Sequence, residues 1–154
     1  MRPTPDRVRE TLFNWLGQTL YGRTCLDLFA GSGALGFEAA SRGAERVVMV
    51  DKNRTVLRAL QDNIAKLHCA NVTVQARDGL EFALHDAQRH DVIFLDPPFS
   101  SDYLPKLLAI LPQRLNEGGV VYVESGAALE ITPPWKVLKQ GKAGQVHYQL
   151  LQIG

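Results

Sequence analysis

Short apolar runs and longer amphipathic stretches alternate through most of the chain. The apolar runs are rich in β-branched residues and predict strands at residues 24–29, 46–51, 72–76, 91–96 and 120–124. Stretches with apolar residues at helical spacing predict the intervening helices at residues 34–41, 54–67, 80–87 and 103–115. Nearly continuous apolar strands are typical of a parallel sheet that helices cover on both faces. The alternation therefore predicts an α/β, doubly wound fold.

The first residues depart from this alternation. Residues 6–16 carry apolar side chains at every fourth position and predict a helix that precedes the first strand. Thr4 is expected to be its N-cap and Pro5 its first helical residue. We expect this helix to pack against the sheet.

The last residues also break the pattern. Residues 135–139 and 145–153 are strand-like, and Gly141 and Gly144 lie between them. Two such segments in succession predict a hairpin rather than another βα unit. The sheet is therefore expected to have seven strands, mostly parallel, with an antiparallel C-terminal hairpin.

Length and composition narrow the class of protein. A chain of 154 residues is expected to form one domain over residues 1–154 and to need no disulfide or metal for its stability. No apolar run approaches the ~18 residues that cross a bilayer, and the N-terminus lacks the apolar stretch of a secretory signal. Two cysteines form no disulfide framework, so we expect a cytoplasmic protein without membrane contact.

The charge of the chain is close to neutral. Lysine and arginine number 17 against 16 acidic residues, a net charge of +1, and the pI is about 7.8. This value lies below the pI of about 9 that marks a strongly basic nucleic-acid-binding domain. Lys136, Lys139 and Lys142 are close together in the predicted hairpin and are read either as RNA contacts or as ordinary solvated charges.

A glycine-rich turn follows the first predicted strand. Residues 27–36 contain the pattern G-x-G-x-x-G and lead from that strand into a helix. Asp51, which ends the second strand, lies 20 positions after Gly31, where an acid accepts hydrogen bonds from the hydroxyls of a ribose. This arrangement suits NAD and S-adenosylmethionine equally well. Asp27 precedes the glycines and favours a cationic ligand over a pyrophosphate, which a carboxylate would repel.

Asp78 follows the third predicted strand and has two interpretations. At this edge of the sheet it is placed to accept a hydrogen bond from an adenine amino group. It is also followed three residues later by Glu81, which is the spacing of a helix-capping box. The sequence leaves both roles open.

The segment Asp96-Pro97-Pro98-Phe99 follows the fourth predicted strand. The prolines restrict the backbone, so that the Pro97 carbonyl and the Asp96 carboxylate offer two acceptors to a planar amino group. Phe99 offers a face on which a base can stack. The other interpretation is a strand that simply ends at prolines.

The sequence lacks the residue patterns of a P-loop, a cysteine nucleophile and a metal site. The glycines are not followed by a P-loop lysine, and no Pro-Cys dipeptide provides a nucleophile. Cys25 falls within a strand and is expected in the core. The histidines show no metal-ligand spacing, so we expect no metal site and surface positions for His68, His85, His90 and His147.

These motifs resemble those of a known family. Residues 27–36 resemble motif I of class I S-adenosylmethionine-dependent methyltransferases, which have a Rossmann-like fold, and residues 96–99 resemble the [DN]-P-P-[FYW] signature of their amino-methylating branch. Residues 2–16, 122–125 and 143–146 are similar to the RsmD family of bacterial 16S rRNA guanine-N2 methyltransferases. That family ordinarily carries a basic segment before residue 2, which this sequence does not contain, so we expect weak RNA binding.

The resemblance implies a set of functional residues. Those implied to bind S-adenosylmethionine, which yields S-adenosylhomocysteine, are Asp27, Phe29, Ala30, Gly31, Ser32, Gly33, Asp51, Lys52, Asn53, Asp78, Gly79 and Asp96. Those implied to act in catalysis are Asp96, Pro97, Pro98 and Phe99. Those implied to bind the RNA are Arg2, Thr4, Arg7 and Phe99.

The implied enzyme is a monomer that methylates the N2 amine of a guanine in 16S rRNA, either free or within a 30S assembly intermediate. The same two acceptors suit other amino-group methyltransferases that act on DNA adenine or a protein glutamine. A methyltransferase-like protein that binds without turnover and a nucleotide-dependent dehydrogenase are the remaining alternatives. Intact Asp27, Asp51 and Asp96 argue against loss of activity.

Overall fold

A computed structural model describes residues 5–98 and 102–154. Its strands are β1 (Thr24–Asp27), β2 (Arg46–Asp51), β3 (Val72–Ala76), β4 (His90–Leu95), β5 (Leu115–Ser125), β6 (Trp135–Ala143) and β7 (Val146–Ile153). Its helices are α1 (Asp6–Leu16), α2 (Ala34–Ser41), α3 (Arg54–Leu67), α4 (Gly79–His85) and α5 (Tyr103–Ile110), followed by a 3₁₀ turn (Leu111–Arg114). No helix in the described ranges has both the length and the apolar character needed to cross a membrane.

Within the described residues, seven strands form one sheet in the order β3-β2-β1-β4-β5-β7-β6. The first five strands pair in parallel, and β7 pairs antiparallel with both β5 and β6. The predicted mostly parallel sheet with a C-terminal hairpin is therefore confirmed. The strand order reverses direction between β1 and β4, and ligands bind at the carboxyl ends of strands at such a switch point.

Two apolar cores cover the two faces of the sheet. On the front face, helices α1, α2 and α3 bury residues such as Leu12, Leu35 and Leu60 against the strands. On the back face, α4, α5 and the 3₁₀ turn bury Ala83 and Leu107. Alternate residues of the central strands β1, β2, β4 and β5 therefore point to opposite cores, which explains their continuous apolar runs.

The largest boundary difference lies between α5 and β5. The helix ends at Ile110 rather than at residue 115, because Pro112 has no N–H to continue the α-helical hydrogen bonds and the chain tightens into the 3₁₀ turn. Strand β5 then begins at Leu115 rather than at residue 120. Its pairing with β4 has an irregular register between His90 and Val92. Gly118 adopts a φ of 76° in this irregular stretch.

Among the smaller boundary differences are those in β1, α4 and β6. Strand β1 ends at Asp27, because the Ala30 N–H already donates to the Val50 carbonyl at 3.0 Å as the chain crosses towards β2. Helix α4 spans Gly79–His85 rather than residues 80–87. Strand β6 continues through Gly141, which lies opposite Tyr148, where a Cβ would come within 2.4 Å of the tyrosine Cζ.

Two predictions of local structure were wrong. Pro5 is the N-cap of α1 rather than its first helical residue, with an extended ψ of 144°, and its carbonyl accepts from the Arg9 N–H. His90 is a buried residue rather than a surface one, and its Nε2 pairs with Asp86 Oδ2 at 2.8 Å. The proposed capping residue Thr4 lies outside the described residues.

Candidate active site

Four acidic residues lie near the carboxyl ends of four neighbouring strands. They are Asp51 on β2, Asp27 on β1, Asp96 directly after β4 and Glu124 on β5. Asp27, Asp51 and Glu124 are buried, with exposed fractions of 3%, 8% and 1%. Burying carboxylates is unfavourable unless hydrogen bonds or a cation compensate the charge. This edge of the sheet is therefore suited to a ligand with a positive charge or several N–H and O–H donors.

The glycine turn is held against Asp51. One carboxylate oxygen accepts from the Gly31 N–H at 3.1 Å, and the other accepts from the Asn53 N–H at 2.9 Å. Gly33, at the N-cap of α2, has a φ of 83°, and a Cβ there would come within 2.6 Å of a ring carbon of Phe37. Glycine is required at this position by its backbone conformation and by the packing around it.

A cavity of about 240 Å³ opens beside this turn. It is lined by Leu28, Phe29, Asp51, Lys52, Asp78, Gly79, Asp96, Pro98 and Tyr103. All of these except Leu28 and Tyr103 belong to the predicted site. Residues from the ends of four different strands and from the start of α5 thus surround one space.

Asp78 and Tyr103 form one wall of this cavity. Asp78 Oδ2 accepts from the Glu81 N–H at 3.2 Å, so the predicted N-cap of α4 is confirmed. Asp78 Oδ1 accepts from the Tyr103 hydroxyl at 2.9 Å, and the Tyr103 ring packs 5.9 Å from the Phe29 ring. Sequence reasoning missed Tyr103, because it is 25 positions from Asp78 and only the tertiary fold brings the two together.

Asp27 lies beneath the glycine turn rather than in the cavity wall. Burial raises the pKa of its carboxyl to about 7, with smaller contributions from Asp51 and Glu124 in the same direction. Hydrogen bonds from the backbone N–H groups of Phe29 and Gly36 act in the opposite direction. Near neutral pH this group is therefore close to its midpoint of titration, and a nearby cation would favour its ionised form.

A buried tyrosine and glutamate pair lies next to the Asp96 strand. The Tyr122 hydroxyl donates to Glu124 Oε1 at 2.6 Å, and both side chains are buried. Burial and the neighbouring Glu124 charge raise the pKa of Tyr122, which therefore stays protonated. Leu95 pairs with Val123, so Asp96 and Glu124 both follow that pair and occupy neighbouring positions where the two strands end. The sequence signal for this pair was its two-residue spacing, which places both side chains on one face of a strand.

Comparison with known proteins places this arrangement in a family. A family model described as "Conserved hypothetical protein 95" matches residues 1–152. Ribosomal RNA small subunit methyltransferase D of Escherichia coli strain K12 is 40% identical over 157 residues, which cover 99% of this chain and 79% of that protein. The protein of the same name from Haemophilus influenzae is 39% identical and covers 99% of this chain and 83% of its own length. The chain belongs to the RsmD methyltransferase family.

A solved structure agrees with this membership. The Escherichia coli methyltransferase yhhF matches with a TM-score of 0.91 and 39% identity, over 99% of this chain and 88% of that chain. The resemblance that residues 2–16, 27–36 and 96–99 suggested is therefore confirmed at the level of the family and of the fold.

The remaining predicted residues of this RsmD family member do not line the cavity, and some of them lie outside the described residues. Ala30 and Ser32 are in the glycine turn, and Asn53 caps α3 by accepting from the Val56 N–H at 3.1 Å. Pro97 is buried, whereas Pro98 is exposed. Arg7 is exposed on the first turn of α1 and does not line the cavity. Arg2, Thr4 and Phe99 lie outside the described residues.

Proposed function

We propose that this protein transfers a methyl group from S-adenosylmethionine to the exocyclic N2 amine of a guanine in small-subunit ribosomal RNA. The observation that carries the proposal is that Asp96 and Pro98 of the Asp-Pro-Pro segment line the same cavity as Asp51 and Asp78. Acceptors for an amino group and acceptors for an adenosine therefore share one space. The names of the relatives, ribosomal RNA small subunit methyltransferase D, support the choice of substrate.

The residues of the cavity fit S-adenosylmethionine. Asp51 has both oxygens fixed by backbone N–H groups and retains lone pairs for the ribose hydroxyls. Asp78 and the apolar rings of Phe29 and Tyr103 suit an adenine with its amino group. Asp27, beneath the turn, favours a ligand that carries positive charge. The bound cofactor supplies an electrophilic methyl group on a sulfonium.

The Asp96 carboxylate and the Pro97 carbonyl would then orient the target amine. The N2 lone pair of guanine is delocalised into the ring, so the amine is a poor nucleophile until it is held out of conjugation. Accepting both of its N–H groups aims the lone pair towards the donor, and much of the rate enhancement comes from such positioning. Asp96 also receives the proton that the methylated amine loses.

The substrate must reach this site as an unpaired or flipped nucleotide, since a guanine inside a helix is not accessible. Phe99 is proposed to stack on that base, and Arg2, Thr4 and Arg7 to contact the RNA next to it. We propose that the acceptor is free 16S rRNA or a 30S assembly intermediate and that the enzyme acts as a monomer.

The direct test is methyl transfer from labelled S-adenosylmethionine to small-subunit rRNA, followed by digestion and identification of the labelled nucleoside. We expect N2-methylguanosine, formed by the wild type and not by an Asp96→Ala variant. Label in N6-methyladenosine, or transfer to DNA or to a protein amide in preference to rRNA, would refute the proposal.

Replacing Asp51 tests the cofactor site separately. Asp51→Ala removes the acceptor for the ribose and the support of the Gly31 and Asn53 N–H groups, so we expect affinity for S-adenosylhomocysteine to fall by about 1.5–3 kcal/mol. Titration calorimetry measures this change. Asp62→Ala, which removes an exposed carboxylate of α3, is the matched control and should bind like the wild type. Unchanged affinity in a folded Asp51→Ala variant would contradict the assignment.

A further inference from the structure

The β6–β7 hairpin reaches the same edge of the sheet as the cavity. Strand β7 runs antiparallel to β5, with His147 opposite Ser125 at the carboxyl end of β5. The two-residue turn between Ala143 and Val146 therefore lies at the edge where Asp96 follows β4. If a nucleotide of an RNA enters the cavity, the hairpin therefore lies beside the neighbouring part of that RNA, at the same edge of the sheet.

One face of the hairpin near this turn carries four polar side chains. Gln140 is opposite Gln149, and Lys142 is opposite His147, and directly opposed residues share a face of an antiparallel pair. Their neighbours Gly141 and Tyr148 face the front core, so these four side chains, here called the hairpin quartet, lie on the back face. They line a groove of about 320 Å³ together with Ala128 and Leu129 of the preceding loop.

The side chains of the hairpin quartet provide hydrogen-bond donors and one positive charge. An ammonium group, an imidazole and two carboxamides line the groove without any carboxylate. Residues 126–154 contain three lysines and a single acidic residue, Glu130. The rest of the chain has one more acidic than basic residue. Of these three lysines, Lys142 lines the groove.

We propose that the hairpin quartet is a second RNA-binding site, which takes a phosphate and the neighbouring base of a single-stranded segment that flanks the target nucleotide. Lys142 and His147 contact the phosphate oxygens, and the Gln140 and Gln149 amides, which both donate and accept, contact the edge of the base. The proposal rests on the proposed function, because it takes RNA as the substrate of the adjacent cavity.

The test compares two lysines of the same strand. Lys142→Ala removes a charge from the groove, and Lys139→Ala removes the same charge from the opposite face, where Lys139 pairs with Leu150 of the front core. We expect Lys142→Ala to raise the KM for an rRNA fragment about threefold to tenfold. It should also reduce the slope of log affinity against log salt by roughly 0.7, the value for one single-strand phosphate contact.

The same Lys142→Ala variant should keep the wild-type kcat at saturating RNA and the wild-type affinity for S-adenosylhomocysteine, because the groove is not part of the cofactor cavity. Equal effects of Lys142→Ala and Lys139→Ala on KM and on the salt slope would overturn the hairpin site and leave methylation of rRNA intact. A wild-type protein that binds S-adenosylhomocysteine and methylates no rRNA would overturn both proposals.

Discussion

The Asp96→Ala variant is expected to bind S-adenosylmethionine nearly as tightly as the wild type and to turn over about 10²–10⁴ times more slowly, the usual contribution of a positioned acid–base group. Asp96 lies directly after β4 and shares the cavity with Asp51 and Asp78, which are the residues proposed to hold the adenosine. Its loss would remove one of the two acceptors proposed for the amine and the group proposed to receive the proton. Single-turnover methylation of rRNA at saturating cofactor measures the effect.

Asp96→Asn separates the two roles of this carboxylate. It keeps the size and one acceptor oxygen but does not take up a proton. It should retain more activity than Asp96→Ala if orientation of the amine dominates, and no more if proton removal dominates. A wild-type rate for Asp96→Ala, with its fold verified by circular dichroism, would remove this residue from the mechanism and leave residues 96–99 as a strand that ends at prolines.

The Asp27→Asn variant is expected to be more stable than the wild type above neutral pH when no cofactor is bound. The pKa of Asp27 is about 7 in the folded protein against 3.8 without burial. The folded wild type therefore keeps a proton that the unfolded chain has already lost, and its stability falls as pH rises from 4 to 7. The loss is on the order of 4 kcal/mol once both states are ionised, and an amide at this position does not suffer it.

Urea unfolding of the cofactor-free proteins at pH 5, 6, 7 and 8 tests this expectation. The free energy of unfolding of the wild type should fall relative to that of Asp27→Asn over this range. In calorimetry, binding of the cationic S-adenosylmethionine should strengthen with pH in the wild type, because a cation favours ionised Asp27, and change less in the variant. Parallel stability curves for the two proteins would show that Asp27 is already ionised in the fold.

The sequence predicted the architecture because its signals are local. Periodicity identified every strand and helix of the described chain, and the glycine and proline patterns fell on the turns that surround the cavity. The boundaries that differed depend on backbone hydrogen bonds that periodicity does not encode, as at Pro112.

What the sequence did not predict depends on side-chain contacts that periodicity does not encode. Tyr103 joins the cavity only because α5 packs beside α4 and brings its hydroxyl to Asp78. The hairpin quartet exists only because the register places Lys142 opposite His147. His90 is buried where β4 pairs with β5, and Asp86 of the preceding loop contacts its ring. Each of these contacts depends on how the folded chain places the side chains, which overrides the average exposure of a residue type.

The position of β7 inside the sheet sets the order in which the strands can pair during synthesis of the chain. Strand β6 is synthesised before β7 and yet becomes the outer strand, so β5 keeps an open edge until the chain has emerged through residue 153. Glu124 and Ser125 have their ladder partners in Tyr148 and His147, more than 20 positions later. A nascent chain halted before β7 would expose an unpaired strand, which invites misassembly. The groove that the hairpin lines at this edge of the sheet is therefore the last part of the sheet to form.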